Sequence, residues 1–201
     1  MIGVIDYDAG NIMSVVKALE SLGQEVVVTR DADKIMSCDR VILPGVGSFG
    51  DAMNKLGEYD LIKVIKDYAA TGKPFLGICL GLQLMFEESE ESPGVEGLGL
   101  LEGKIKYIDA KGLKIPHMGW NSLEFPKKSR LFAGIPKDSF VYFVHSYYLE
   151  AKNLSDVAAT CEYGVHIHAA VEHGNICATQ FHPEKSSEVG LKILENFTKM
   201  E

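Results

Sequence analysis

The chain has 201 residues, with 20 basic and 28 acidic side chains and a formal net charge of −8. This acidic balance argues against a nucleic-acid binder, which needs a basic face, and against attraction to anionic membranes. Hydrophobic residues make up 46% of the chain, enough to bury a core without disulfide or metal staples. No stretch approaches the roughly 20 consecutive apolar residues that cross a bilayer, and the first residues have no signal-peptide pattern.

The first half of the chain alternates short apolar runs with helical patterns. Strands are expected over residues 2–5, 25–29, 41–43 and 73–78, and helices over residues 12–22, 59–70 and 80–88. Asn11 is in position to cap the first helix, and Gly23 to end it. Strands that alternate with helices at short spacing predict a mostly parallel central sheet flanked by helices.

The second half changes character, because its apolar residues alternate with polar ones as in half-exposed strands. Strands are expected over residues 100–108, 120–125, 140–144, 157–161 and 176–181, followed by a helix over 187–199. No repeat or linker interrupts the pattern. We therefore expect one α/β domain over residues 1–201, with an antiparallel strand region inserted before the last strand and helix.

The four cysteines include no pair at CxxC spacing, and nothing in the sequence suggests export. A reduced, cytoplasmic setting is therefore expected, in which each thiol needs its own explanation. No Cys or carboxylate stands at metal-ligand spacing from the histidines, so we expect no metal, and we expect no cofactor.

Gly77-Ile78-Cys79-Leu80-Gly81 places a cysteine between an expected strand and an expected helix. The same pattern with serine forms a nucleophile elbow, in which small flanking residues permit a strained turn. The helix that follows would direct its positive end at the sulfur and favour the thiolate. The backbone N–H of Leu80 would then point to where an oxyanion develops. A buried structural cysteine beside turn glycines is the alternative.

His182 and Glu184 follow the last expected strand and are two residues apart, so in extended chain they project to the same side. Open α/β sheets form their sites at such strand ends. An imidazole that serves a cysteine needs a third group to orient it, and a carboxylate at this spacing can do so. A surface His-Pro-Glu turn is the alternative interpretation.

The segment 43–50 is a glycine-rich loop after another expected strand. Its backbone could supply a second oxyanion donor beside Leu80. A phosphate loop or a plain turn is the alternative, although the Gly-Lys-Ser/Thr of a Walker A motif is missing.

Three motifs together resemble class I glutamine amidotransferases: PGVGSFG (44–50), GICLGLQLMF (77–86) and QFHPEKS (180–186). Four more narrow the resemblance to the glutaminase subunits of imidazole glycerol phosphate synthases: DYDAGN (6–11), EESEESPGVEGLGLLEG (87–103), PHMGWN (116–121) and YFVHSYY (142–148). The match covers about residues 2–197. Asp8 departs from it, because the family more often has glycine there; this bears on the geometry near Asn11 and not on the chemistry.

The resemblance implies a role for each matching residue. Cys79 would be the nucleophile, His182 the general base and then acid, and Glu184 the residue that orients it. The oxyanion hole would be formed by the N–H of Leu80 and one from Val46-Gly47. The glutamine substrate would be bound by Gln83, by Glu91 through its ammonium group, and by the Ser146-Tyr147 backbone through its carboxylate.

The resemblance also implies a partner, the (βα)8-barrel cyclase subunit that consumes the ammonia to form imidazole glycerol phosphate. We expect Asn11, Trp120 and Lys185 on the side that faces it, and weak glutaminase activity without it. Two rival hypotheses are an amidotransferase-like cysteine hydrolase or peptidase, and a catalytically silent subunit of a complex.

Overall fold

A computed structural model describes residues 1–201 of the chain, which form twelve strands and six α-helices. The strands are β1 (Ile2–Ile5), β2 (Val26–Thr29), β3 (Arg40–Leu43), β4 (Phe75–Ile78), β5 (Glu88–Ser89), β6 (Gly103–Tyr107), β7 (His117–Ser122), β8 (Phe140–His145), β9 (Tyr147–Ala151), β10 (Val157–Glu162), β11 (His166–His173) and β12 (Ile176–Thr179). The helices are α1 (Ile12–Ser21), α2 (Ala32–Ser37), α3 (Phe49–Glu58), α4 (Leu61–Ala70), α5 (Leu80–Leu84) and α6 (Ser187–Thr198).

The central sheet has seven strands in the order β10-β11-β12-β4-β3-β1-β2. The pairs from β12 to β2 are all parallel, whereas β10, β11 and β12 pair antiparallel at one edge. Two smaller sheets, β5-β6-β9 and β7-β8, arise from the chain between β4 and β10. The expected α/β architecture, a mostly parallel sheet with an inserted antiparallel region, is confirmed.

The sheet is buried on both faces, because alternate side chains of each strand enter two separate cores. Ile42 and Leu76 join the core that contains apolar residues of α1 and α6. Val41 and Phe75 join the other core, with apolar residues of α2, α3 and α4. Strands buried on both sides need continuous apolar sequence, which explains runs such as residues 75–78. No α-helix here has the length and apolarity that crossing a membrane requires.

The expectation of a loop over residues 43–50 was wrong at its end, where α3 begins at Phe49. Ser48 caps this helix, accepting a hydrogen bond from the Asp51 N–H at 3.3 Å. The expected helix over residues 59–70 begins two residues later, at Leu61. Asp60 separates the two helices with a φ of 54°, a left-handed conformation that interrupts helical hydrogen bonding.

The helix expected over residues 80–88 ends already at Leu84. The amides of Leu98, Gly99 and Leu100 donate hydrogen bonds to the carbonyls of residues 84–86 at 2.8–3.1 Å. Those carbonyls are therefore satisfied by a returning loop. The same hydrogen bonds explain why β6 starts at Gly103 and not at residue 100 as expected.

Candidate active site

A cavity of about 360 Å³ opens at the carboxyl ends of the central parallel strands, where α/β sheets place their sites. For nine of its twelve lining residues, the sequence or the resemblance predicts a role. The lining consists of Val46, Gly47, Cys79, Leu80, Gln83, Glu91, Pro116, Val144, His145, Ser146, Tyr147 and His182. Elements from both halves of the chain therefore converge on Cys79.

Cys79 lies on a strained turn between β4 and α5, with φ 55° and ψ −109°. A side chain at Gly77 would put its Cβ 2.8 Å from the Gly81 carbonyl oxygen, and one at Gly81 would overlap the Leu43 carbonyl. Only glycine fits at both positions, because strand and helix nearly touch there. This is the elbow that the spacing predicts, although α5 has only five residues to carry a dipole.

The backbone N–H of Leu80 is occupied, because it donates to the Gly45 carbonyl oxygen at 3.3 Å. The Pro44-Gly45 segment that follows β3 is held by a second hydrogen bond. The buried Tyr7 hydroxyl donates to the Pro44 carbonyl oxygen at 2.8 Å. An oxyanion can receive the Leu80 N–H only if the Gly45 carbonyl turns away.

His182 and Glu184 form a buried pair behind Cys79. Nδ1 of His182 lies 2.7 Å from Oε1 of Glu184, and the side chains are 1% and 0% exposed. Burial acts to lower the pKa of His182, but hydrogen bonding and charge at Cys79 and Glu184 prevail and raise it to about 9. With this raised pKa, His182 can hold a proton beside Cys79 at neutral pH.

Asn11 contacts the same carboxylate, donating from Nδ2 to Oε1 of Glu184 at 2.6 Å. The expected position of Asn11 at the N-cap of α1 is confirmed, but its φ is 70° and its side chain makes no capping hydrogen bond. The neighbouring departure from the family pattern, Asp8, has a φ of 63° and bonds to Arg30 and Tyr59. Aspartate tolerates this left-handed conformation better than most residues do.

Of the other two residues expected to face a partner, Trp120 is 51% exposed and Lys185 is exposed. Large exposed apolar residues stand near Trp120 in sequence or on its paired strand: Met118 is 61% exposed and Phe140 is 56% exposed.

Gln83 and Gln180 form a buried amide pair at the base of the cavity. Nε2 of Gln83 donates to the Tyr147 carbonyl and to Oε1 of Gln180, both at 3.1 Å. Gln180 then directs its own Nε2 at the sulfur of Cys79, 3.9 Å away. With both its N–H groups used, Gln83 has its side-chain oxygen left to accept a hydrogen bond from a ligand.

Glu91 lies on the cavity wall, where its Oε2 accepts the N–H of Phe49 at 2.8 Å. It thereby binds the first turn of α3, which favours a carboxylate at that place. The other carboxylate oxygen remains available to a cation. Ser146 and Tyr147 line the same cavity.

No role was predicted from the sequence for Gln180, His145 or Tyr7. Gln180 could have been noticed two residues before His182, on the same side of an extended segment. The positions of the other two depend on contacts between distant segments, for which the sequence carries no local signal. No group of three or more His, Cys, Asp or Glu side chains is arranged to hold a metal ion.

A family profile described as glutamine amidotransferase class I matches residues 3–200. The chain is 49% identical to the imidazole glycerol phosphate synthase subunit HisH of Moorella thermoacetica, covering 99% of this chain and 94% of that protein. It is 50% identical to the protein of the same name from Bacillus subtilis, covering 100% and 96%.

Solved structures support the same fold at lower identity. A structure titled as a glutamine amidotransferase superposes with a TM-score of 0.76 at 22% identity, covering 98% of both chains. The PurLQS structure from Thermotoga maritima gives a TM-score of 0.72 at 22% identity, covering 98% of this chain and 96% of that one.

Proposed function

Because the chain belongs to the class I glutamine amidotransferase family, we propose that its cavity hydrolyses the side-chain amide of glutamine to glutamate and ammonia. The observation that carries the proposal is the convergence of Cys79 and His182 on one cavity, with Glu184 hydrogen-bonded behind the imidazole. Residues 1–201 would act as a single glutaminase domain.

In the first half of the reaction, the Cys79 thiolate attacks the carboxamide carbon of glutamine and the carbonyl π electrons move to the oxygen. His182 donates its proton to the amide nitrogen as the C–N bond breaks, so that ammonia leaves and a γ-glutamyl thioester remains. Glu184 keeps Nδ1 of His182 protonated, leaving Nε2 to exchange protons with the reacting groups.

In the second half, His182 removes a proton from water, and the oxygen attacks the thioester carbon. The C–S bond breaks as the tetrahedral intermediate collapses, releasing glutamate and the Cys79 thiolate, while His182 retains the proton for the next cycle. Both halves pass through an oxyanion. We assign its stabilisation to the N–H of Leu80 and an N–H of Val46-Gly47.

The walls of the cavity suit the amino-acid end of glutamine. We assign the α-ammonium to the free oxygen of Glu91 and to the side-chain oxygen of Gln83. The α-carboxylate would bind the Ser146-Tyr147 backbone, which also lines the cavity. Charged hydrogen bonds at both ends would set the distance between the α-carbon and the sulfur, which selects glutamine over shorter amides.

The ammonia would pass to a (βα)8-barrel cyclase subunit, with which this chain forms the heterodimeric imidazole glycerol phosphate synthase of histidine biosynthesis. Free ammonia becomes protonated in neutral water and stops being a nucleophile, so transfer through a dry path between subunits preserves it. We place the interface on the side of Asn11, Trp120 and Lys185, where apolar side chains are exposed. The lyase activity belongs to the complex as a whole, and a reducing cytoplasm would keep Cys79 as a thiol.

Activity should be weak without the partner, because the Leu80 N–H is bonded to the Gly45 carbonyl. One missing oxyanion donor costs roughly 10²–10³ in rate. A partner that favours the rotated peptide would restore this donor. An unchanged glutaminase rate on addition of the cyclase and its ligand would refute this part of the proposal.

The decisive experiment is co-purification with the cyclase subunit, followed by glutamine turnover before and after Cys79→Ala. We expect the variant to bind the cyclase and to lose turnover and labelling by a glutamine-analogue electrophile. Preference for peptides or esters over glutamine would favour the cysteine hydrolase or peptidase. Absence of turnover and labelling in the native complex would favour the silent subunit.

A further inference from the structure

Two buried histidines outside the proposed triad face each other across β7 and β8. His117 and His145 are paired in register and are 2% and 6% exposed. Nδ1 of His117 lies 2.9 Å from Nε2 of His145, and Nδ1 of His145 lies 2.8 Å from the Tyr147 carbonyl oxygen. At the far end, Nδ2 of Asn121 lies 3.3 Å from Nε2 of His117. The side chains thus form a chain of hydrogen bonds that ends at the cavity wall.

The groups at the two ends of this series of hydrogen bonds decide which atom donates in each bond. A carbonyl oxygen only accepts, so Nδ1 of His145 carries the hydrogen. In a neutral ring Nε2 then accepts, and it does so from the Nδ1–H of His117. Nε2 of His117 in turn accepts from the amide of Asn121, whose other N–H donates to the Glu162 carbonyl at 2.9 Å.

Only neutral rings satisfy this chain, because a second proton on either imidazole would bring two N–H groups face to face. The surroundings agree, since burial lowers the pKa of His117 to about 4 and that of His145 to about 3. The His117 ring is also stacked between Phe143 and Tyr163, with centroids 4.7 and 4.0 Å away, which opposes its rotation.

The Tyr147 carbonyl oxygen, at the end of this series, accepts two hydrogen bonds. It accepts from His145 and, at 3.1 Å, from Nε2 of Gln83. The bond from His145 spans two residues and closes a ring around Ser146, whose own carbonyl accepts the Ile108 N–H at 3.0 Å. The backbone of Ser146 and Tyr147 is therefore fixed where it forms the cavity wall.

We propose that His145, held in its neutral Nδ1–H tautomer by His117 and Asn121, is a positioning residue that orients the Ser146-Tyr147 backbone toward the carboxylate of glutamine. This inference rests on the proposed function, which assigns that backbone to the carboxylate. His145 acts through the peptide and takes no part in the bond-making steps.

Two substitutions separate this role from simple packing. In His145→Asn the amide nitrogen occupies the place of Nδ1 and still donates to the Tyr147 carbonyl. In His145→Gln the side chain reaches the place of Nε2 and loses that donor. If His145 only fills space, His145→Gln should keep the native kinetics better, because glutamine is closer to histidine in size. The proposal predicts that His145→Asn keeps them better.

The kinetics should be measured on the complex with the cyclase subunit. We expect His145→Gln to raise the KM for glutamine about tenfold and to change kcat less than about threefold, as the loss of a binding-site hydrogen bond predicts. We expect the KM of His145→Asn to stay within about threefold of native. Iodoacetamide, which lacks an amino-acid end, should alkylate Cys79 at a similar rate in all three proteins.

Three results would overturn the proposal. The first is a KM as high in His145→Asn as in His145→Gln. The second is alkylation of His145→Gln by iodoacetamide that slows by the same factor as its KM rises, and the third is a tautomer of His145 other than Nδ1–H. Nitrogen NMR of histidine-labelled native protein reads the tautomer directly, even if a variant fails to fold. An Nε2–H or a charged ring at His145 near neutral pH contradicts the chain of hydrogen bonds. This spectrum needs no glutamine, so its failure is distinguishable from failure of the proposed function, which would appear as an inactive native complex.

Discussion

Glu184→Gln removes one charge from the site while conserving its geometry. Both donors to this side chain, from Asn11 and His182, meet the same oxygen, Oε1, and Oε2 has no partner. A glutamine with its oxygen in the place of Oε1 keeps both hydrogen bonds. The substitution therefore tests the carboxylate charge, which helps to raise the pKa of His182 to about 9.

Removing an adjacent opposite charge shifts a pKa by about 1–3 units, and here the shift is downward. At about pH 8 a His182 with a pKa near 9 is about 90% protonated, and a fall of about 2 units reduces this to about 10%. The kcat/KM of the variant should therefore fall about tenfold at pH 8 and little at pH 6, because proton donation to the leaving amine needs protonated His182. Any loss of another origin should be the same at both pH values. The basic limb of the profile should move to lower pH.

The assay is the pH dependence of kcat/KM for glutamine in the complex with the cyclase, together with an NMR titration of His182. Glu188→Gln is the matched control, since that exposed carboxylate stands four residues along the chain in the first turn of α6. A basic limb that stays in place in Glu184→Gln would refute the assignment of the raised pKa to this carboxylate.

Three further substitutions test the surroundings of the site. Asn11→Ala removes a hydrogen bond to the carboxylate of the proposed triad and should lower kcat about tenfold or more with little change in KM, measured in steady state. Gly81→Ala forces a Cβ into a backbone carbonyl and should lower the free energy of unfolding, measured in urea, by about 3 kcal/mol or more. In the control Gly23→Ala the added Cβ meets no atom within 4 Å, and the loss should be about 1 kcal/mol. Tyr7→Phe leaves the buried Pro44 carbonyl without its side-chain donor and should cost about 1–3 kcal/mol in the same assay.

Most of the fold could be predicted from the sequence, because fully buried parallel strands leave continuous apolar runs. The run 75–78 and the helical pattern of α6 correspond closely to the observed elements. The C-terminal end of α5 could not be predicted. It depends on amides from residues 98–100, which replace the helical donors from a distance.

Some residues of the candidate site could likewise be predicted from local sequence, and others could not. The convergence of Cys79 with the His182–Glu184 pair could be predicted because strand ends and residue spacing carry local signals. Asn11 was expected to cap a helix, a local role, but its amide is bonded to a carboxylate 173 residues away. The hydrogen-bond chain from Asn121 to the cavity wall depends likewise on the register of two strands, which no single segment encodes.

In the proposed mechanism, Cys79, His182 and Glu184 are already in place, and the backbone donor at Leu80 is not free. The Gly45 carbonyl, which accepts the Leu80 N–H, belongs to the loop after β3, where the Tyr7 hydroxyl donates to the neighbouring Pro44 carbonyl. Substitutions in the triad should therefore lower basal and partner-stimulated glutaminase rates by similar factors, because both need the same proton transfers. Substitutions that act on the Gly45 peptide should change the ratio of the two rates. That ratio separates a defect in chemistry from one in activation.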